Sequence, residues 1–93
     1  MKNTNKAGWR SFIKLCTELK TEERMGQFFD FFLTHKEKED LGKRALIVQE
    51  LLEGKRTQRE IAKHLSLSIS KITRGSNALK LINKNLREYL QKH

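Results

Sequence analysis

Apolar residues recur along this chain at intervals of three and four, and nowhere do apolar and polar residues alternate for long, so helical periodicity organises the sequence. Proline, the residue that most often breaks helices, is absent. The expected fold class is therefore all-α. A first stripe, Trp9, Phe12, Ile13, Cys16 and Leu19, falls on one helix face. A second segment, Glu22 to Leu33, puts Met25, Phe28, Phe29 and Phe32 on one face, with Phe31 and Leu33 carrying apolar surface round the other side. So much aromatic surface suits a core, a partner surface or the wall of a pocket for a flat ligand. Thr34 with Glu37 has the T-x-x-E spacing of a capping box, so a third helix is predicted to start there. Its apolar positions are Leu41, Ala45, Val48, Leu51 and Leu52, and Gly54 is placed to end it, with Gly42 an interior cost. Arg44 lies beside this stripe, where a long cation either snorkels to water or lies over a ligand.

The stretch from Thr57 to Lys80, TQREIAKHLSLSISKITRGSNALK, is the most informative. Thr57 and Glu60 form a second capping box, followed by a short helix with Ile61 and Leu65 on one face and Ala62 beside them. Ser66, Leu67 and Ser68 interrupt it, and Ser68 is a suitable N-cap for a further helix whose buried side is expected to be Ile69, Ile72 and Leu79. A helix-turn-helix needs a small residue where its helices approach closest and apolar residues round the corner. Ala62 meets the first need, and Ile61, Leu65, Leu67 and Ile72 meet the second. Glycine is usual in such turns, so Ser66 must either tolerate a left-handed backbone or avoid it. The outward face of the second helix carries Ser70, Lys71, Thr73, Arg74 and Asn77, all hydrogen-bonding groups. In a major groove the N-terminal residues Ile69, Ser70 and Lys71 would lie nearest the bases, with Ile69 against thymine methyls, while Gln58, Arg59 and Lys63 would touch the backbone. Ser68, Thr73 and Lys80 complete the candidate DNA contacts.

Charge strengthens that reading. The 93 residues carry 20 Lys+Arg and 11 Asp+Glu, a net +9. Residues 1–54 hold 10 basic and 9 acidic side chains, whereas residues 55–93 hold 10 basic ones and only Glu60 and Glu88, a balance of +8. Such a field draws phosphate backbones. A chain this short makes one small domain, and a lone core of this size supplies only about 3–5 kcal/mol, so oligomerisation is expected. No stretch approaches the roughly 20 apolar residues of a membrane span, and the N-terminal MKNTNKAGW has no apolar signal region, so a cytoplasmic, membrane-free protein is expected. Cys16 sits on an apolar stripe and is read as a small core hydrophobe. His35, His64 and His93 lack metal-ligand spacing, and there is neither a nucleophile elbow nor a glycine-rich phosphate loop. No metal and no enzymatic activity are expected.

The run QREIAKHLSLSISKITRGSNALK, preceded by LLEG and a threonine, closely resembles the helix-turn-helix of the tryptophan repressor family, with ITRGSN its most distinctive part. Trp9, Phe12, the FFLT segment Phe31 to Thr34, and LGKRALIVQELLEG from Leu41 to Gly54 follow the same order and spacing, so the resemblance covers about residues 9 to 90. It implies an intertwined, all-helical homodimer of bacterial origin. Its two helix-turn-helix units would bind half-sites of a palindromic operator when L-tryptophan is bound as co-repressor, repressing genes of tryptophan biosynthesis or uptake. The implied organisation is a single domain over 1–93: an N-terminal arm (1–8), a helical dimerisation core (9–56), the helix-turn-helix (57–80) and a C-terminal helix (81–93). The implied ligand site has Arg44 and Arg74 sandwiching the indole, Arg74 and Thr34 holding the carboxylate, and backbone carbonyls near Phe31 and Leu33 receiving the ammonium. Gly75 admits the ring close to the recognition helix. Ala78 stands where the family commonly has a serine whose hydroxyl helps bind the ammonium. His35, Phe31 and Lys71 are further departures, the last on the reading face. The alternative to a tryptophan-dependent repressor is a helix-turn-helix protein that binds DNA without a ligand or with another one, or an interaction module.

Overall fold

Where the helices begin is set by a few oxygen-bearing side chains. Thr21 accepts a hydrogen bond from the Arg24 amide, and Asn83 accepts one from the Leu86 amide. Thr34 and Glu37 exchange two bonds, the Thr34 amide donating to Glu37 Oε1 (2.8 Å) and the Glu37 amide to Thr34 Oγ1 (3.1 Å). Thr57 and Glu60 repeat this geometry at 2.8 and 3.2 Å. The hydrogen bond from the Thr57 backbone, followed by that with its side chain, holds the Glu60 carboxyl below the ordinary carboxylate range. Both predicted capping boxes are therefore present.

The computed structural model describes residues 4–93, and those residues form six α-helices and no strand: α1 Thr4–Thr17, α2 Glu22–Phe32, α3 His35–Glu53, α4 Gln58–Leu65, α5 Ile69–Leu79 and α6 Lys84–Lys92. The all-helical expectation holds. Of the expected N-terminal arm (1–8), residues 1–3 lie outside the described part and the rest already belongs to α1, which starts at Thr4. At the other end α6 runs through Gln91 and Lys92.

The chain divides into two compact units, one ending at Lys38 and the other running from Glu39 to His93. In the first, Phe12 of α1 is the hub of an aromatic cluster. Its ring lies 5.4 Å from those of Phe28 and Phe32, 6.1 Å from Phe29 and 5.7 Å from Trp9, distances at which tilted and edge-on rings attract. Three of the four clustered phenylalanines thus pack on α1, while Phe31 points away and is 81% exposed. Trp9, placed on the buried stripe by spacing, is also largely exposed, because the cluster covers only one side of its ring. Cys16 is half-buried and free.

The second unit has a core of Ile47, Ile61 and Ile72, one residue each from α3, α4 and α5, bordered by Leu51, Ala62, Leu65 and Leu67. Leu79 is buried as expected, but Ile69 is 46% exposed and does not belong to the buried side. Its side chain lies at the edge of the face that Ile72 and Leu79 define, one turn too early to reach the core. The face predicted to be the core side of α3 is only partly so. Leu41 and Ala45 are exposed, and Val48 and Leu52 half-buried, whereas Ile47 and Glu50 are buried. The helix is apolar on more than one side, and of the expected stripe Leu51 borders the core shared with α4 and α5, beside Ile47, which the stripe had left out.

Two backbone positions take left-handed conformations. Gly54, at φ 69°, ends α3 with its amide bonded to the Glu50 carbonyl (3.3 Å). Ser66, at φ 56°, ψ 44°, ends α4, and the Leu67 amide bonds back to the Ala62 carbonyl (2.9 Å). Ser66 therefore adopts the left-handed turn rather than avoiding it. Ser66→Gly is expected to stabilise the protein by about 0.5–1 kcal/mol, since it removes a left-handed penalty of about 1–2 kcal/mol at the cost of a more flexible unfolded chain. Urea denaturation with no gain in midpoint would contradict this.

Candidate nucleic-acid interface and ligand site

The candidate recognition surface is built from the α4–α5 pair. Ile61 and Ile72 are fully buried against Ile47, so α4 and α5 are held to α3 by the same three side chains. At Gly75 the backbone of α5 comes close against the side chains of α3. A β-carbon there would lie 2.9 Å from Ile47 Cγ2 and 3.5 Å from Leu51 Cδ1, the first shorter than packed carbons tolerate. This glycine is required by the α3–α5 contact itself.

With Ile72, Gly75 and Leu79 turned inward, the remaining positions of α5 sort onto two outer faces by helical spacing. Ser70, Thr73 and Asn77, at i, i+3 and i+7, share one of them, and all are exposed. Thr73 Oγ1 donates to Gln58 Oε1 of α4 (3.0 Å), which brings two candidate DNA contacts together at the N-terminal end of α4. Arg59 and Lys63 are exposed on α4, and Lys80 is exposed at the C-terminal cap of α5. Ser68 is at the N-cap position but makes no side-chain capping bond. Its hydroxyl pairs with that of Ser70 at 3.1 Å, so the first amides of α5 are not satisfied by it. Such a helix start suits an anionic group. The exposed Ile69 lies beside these hydroxyls, at the end of α5 expected to meet base edges.

The second outer face carries Lys71, Arg74 and Ala78, again at i, i+3 and i+7. Lys71 thus belongs, by spacing, with Arg74 rather than with the Ser70–Thr73–Asn77 row. Arg74 precedes Gly75, and Arg44 is one turn before Ile47 on α3, so both arginines lie within about a turn of the α3–α5 contact along their own helices. Arg44 also borders an open groove of about 850 Å³ between α3 and α6, lined by Leu41, Ala45, Val48, Leu52 and Leu90. Both guanidinium groups are exposed.

Phe31, Leu33 and Thr34 belong to the first unit. Phe31 is in the last turn of α2 and Leu33 is its C-cap, extended at φ −110°, ψ 146°, with its amide bonded to the Phe29 carbonyl (2.8 Å). Carbonyls at a helix C-terminus carry partial negative charge and lack intrahelical partners, and no basic side chain sits in this last turn. Thr34 Oγ1 accepts the Glu37 amide, which leaves its O–H to donate elsewhere. Ala78 contributes no polar group.

One constellation was not foreseen from sequence. Among the described residues Glu50 is the sole charged side chain classed as buried. Its Oε1 accepts from Arg56 Nη1 at 2.7 Å, and its Oε2 is bonded to His64 Nδ1 at 2.6 Å. Burial works to raise its pKa, but the hydrogen bonds and charges of Arg56 and His64 outweigh this, so the carboxyl lies below its ordinary value. The signal was available in the row Ile47, Glu50, Leu51 and Gly54, a packing face with a charge in it.

No group of three His, Cys, Asp or Glu among the described residues is placed to hold a metal ion, and no helix there is long and apolar enough to cross a membrane. The family model described as Trp repressor protein matches residues 7–93. A Trp operon repressor homolog of Chlamydia trachomatis serovar D is 45% identical over 92 residues, covering 99% of this chain and 98% of that protein. One from Chlamydia caviae is 49% identical over 88 residues, covering 95% and 87%, and one from Mannheimia succiniciproducens is 36% identical over 89, covering 96% and 88%. A match over nearly the whole chain, with the α4–α5 pair held on α3 as described, places this protein in the Trp repressor family of DNA-binding transcription regulators.

Proposed function

We propose that the chain is a single-domain, homodimeric transcriptional repressor that binds a palindromic operator when L-tryptophan is bound, and so controls genes of tryptophan supply. The observation that carries this reading is the two-faced α5. Ser70, Thr73 and Asn77 form one outer row, while Arg74 stands on the other beside Gly75, so one rigid helix serves both DNA and ligand.

Bound L-tryptophan supplies an indole plane, a carboxylate and an ammonium. Arg44 and Arg74 have the flat guanidinium groups that stack on an aromatic ring, which lysine would do less well. Arg74 and the Thr34 hydroxyl are donors for the carboxylate, and the carbonyls of Phe31 and Leu33 are acceptors for the ammonium. The residues present therefore match the chemistry of the amino acid group by group. Gly75 and Ala78 border the same face with small side chains.

On the DNA side, Ile69, Ser70 and Thr73 reach base edges, and Lys71, although on the Arg74 side of α5, reaches them from the first turn of the helix, while Gln58, Arg59, Lys63, Ser68 and Lys80 hold phosphates. The co-repressor acts by population shift, favouring the α5 orientation in which two recognition helices fit successive major grooves. Dimerisation follows from the same surface accounting. Leu41, Leu81 and Tyr89 are exposed on a single chain, and a partner of the same sequence can cover such surface.

The missing hydroxyl at Ala78 favours one second reading, a repressor that takes a different ligand or none. Calorimetric titration with L-tryptophan separates the two. One saturable site per chain is expected, and the absence of heat at several temperatures would overturn tryptophan as the ligand. Arg74→Ala should abolish the ligand dependence of DNA binding, measured by filter retention or anisotropy with and without L-tryptophan; an unchanged ligand response would remove Arg74 from the site. Lys63→Gln should weaken binding evenly across sequences and reduce the slope of log K against log salt by about 0.9. A loss confined to one sequence would contradict a backbone role.

A further inference from the structure

The core joining α3, α4 and α5 consists of three isoleucines, and apolar contact is non-directional. Ile47, Ile61 and Ile72, with Ala62 and Leu65 beside them, hold the helices together, but such contacts do not by themselves fix the angle of α4 on α3. The α3–α4 corner is also short, running from Gly54 to Thr57, and turns on a left-handed glycine. Glu50 supplies what this core lacks. Its two carboxylate oxygens are used separately: Oε1 takes the Arg56 guanidinium at 2.7 Å, and Oε2 takes His64 Nδ1 at 2.6 Å. Arg56 is in the corner and His64 is in the last turn of α4, so one side chain of α3 grips both ends of the segment that carries α4. Bonds to an ionised group are short and directional, and they fix angle as well as distance. No buried side-chain polar atom among the described residues lacks a partner, and both oxygens of the Glu50 carboxylate are bonded.

We infer that Glu50, through Arg56 and His64, is a positioning residue that sets the angle of α4, and with it the DNA-reading row joined to α4 through Gln58 and Thr73. The inference rests on the DNA-binding reading above. Glu50 is not a DNA contact, since its carboxylate is buried and would repel phosphate. It acts through the orientation of residues that are. Sequence-specific binding demands that orientation, whereas non-specific binding draws on Lys and Arg charges that tolerate several poses. A loss of the clamp therefore shows as lost discrimination.

The test uses the full chain with L-tryptophan present, a duplex recovered by the wild-type protein from a random-sequence pool, and an unrelated duplex of equal length. Glu50→Gln keeps the shape and removes the charge. It is expected to weaken binding to the recovered duplex about tenfold, the scale of one hydrogen bond to a charged group, and to change binding to the unrelated duplex by less than about twofold. His64→Gln should give a smaller loss, and the double variant should lose no more than Glu50→Gln alone, the non-additivity of residues acting through one contact. Amide hydrogen exchange should rise in α4 and stay unchanged in α3. Equal losses on both duplexes, or wild-type discrimination with unchanged α4 exchange, would overturn the clamp. If Glu50→Gln does not fold, Arg56→Gln and His64→Gln, at less buried positions, carry the same comparison. If the wild-type protein recovers no duplex, the DNA-binding reading fails, and α4 exchange alone then decides the clamp: faster exchange sustains it, and unchanged exchange ends it.

Discussion

The close approach of α5 to α3 at Gly75 is the constraint on which the rest of this architecture depends. A β-carbon at that position would lie 2.9 Å from Ile47, so a side chain there would push the helices apart and open the contact that buries Ile72. Once α5 is seated, its remaining sides are no longer equivalent. The side opposite α3 carries hydroxyl and amide groups, and the side flanking the contact carries Arg74. The separation of these two kinds of side chain along one helix is thus a consequence of where its glycine falls.

The core formed this way is small. It consists of one isoleucine from each of three helices with a few half-buried neighbours, while large apolar side chains such as Trp9, Phe31, Leu41 and Leu81 remain exposed on a single chain. Marginal burial of this kind leaves little to resist rotation of one helix over another. Specific hydrogen bonds matter more than they would in a larger domain. Both capping boxes, the Gln58–Thr73 bond, the Arg87 guanidinium on the Leu79 carbonyl and the Glu50 cluster are of this directional sort.

Much of the fold was legible in the sequence because the strongest signals are local. Thr34 with Glu37 and Thr57 with Glu60 marked helix starts that the structure reproduces, and the Ser66 turn came at its expected place, since capping and turn chemistry need only neighbouring residues. Packing between distant helices was less legible. The spacing of Leu41, Ala45, Val48, Leu51 and Leu52 marked an apolar stripe, but periodicity does not say which part of a broad apolar surface meets which partner: from that stripe Leu51 met Gly75, together with Ile47, which the stripe had left out. Ile69 was assigned inward because it precedes Ile72 by one turn, yet the curvature of the buried face leaves it at the rim. Glu50 was passed over because a carboxylate within an apolar helix reads as surface until its partners, 6 and 14 residues away, are brought beside it.

If Arg74 holds the ligand as proposed, ligand and DNA are coupled without a long path between them. Arg74 and Thr73 are consecutive residues of one helix, so their side chains point to different surfaces while sharing a backbone. Whatever fixes Arg74 relative to α3 also restricts the rotation of α5, and Thr73 must turn with it. Thr73 is in turn bonded to Gln58 at the start of α4, so the restriction passes from one recognition element to the other through a single hydrogen bond of 3.0 Å. Under the proposed function such coupling is reciprocal by thermodynamic necessity: a duplex that held the Ser70–Thr73–Asn77 row in place would favour the Arg74 orientation that the proposed ligand requires. On that proposal the element whose orientation both sites bias is α5, which follows the Ser66 turn and is seated on Ile47.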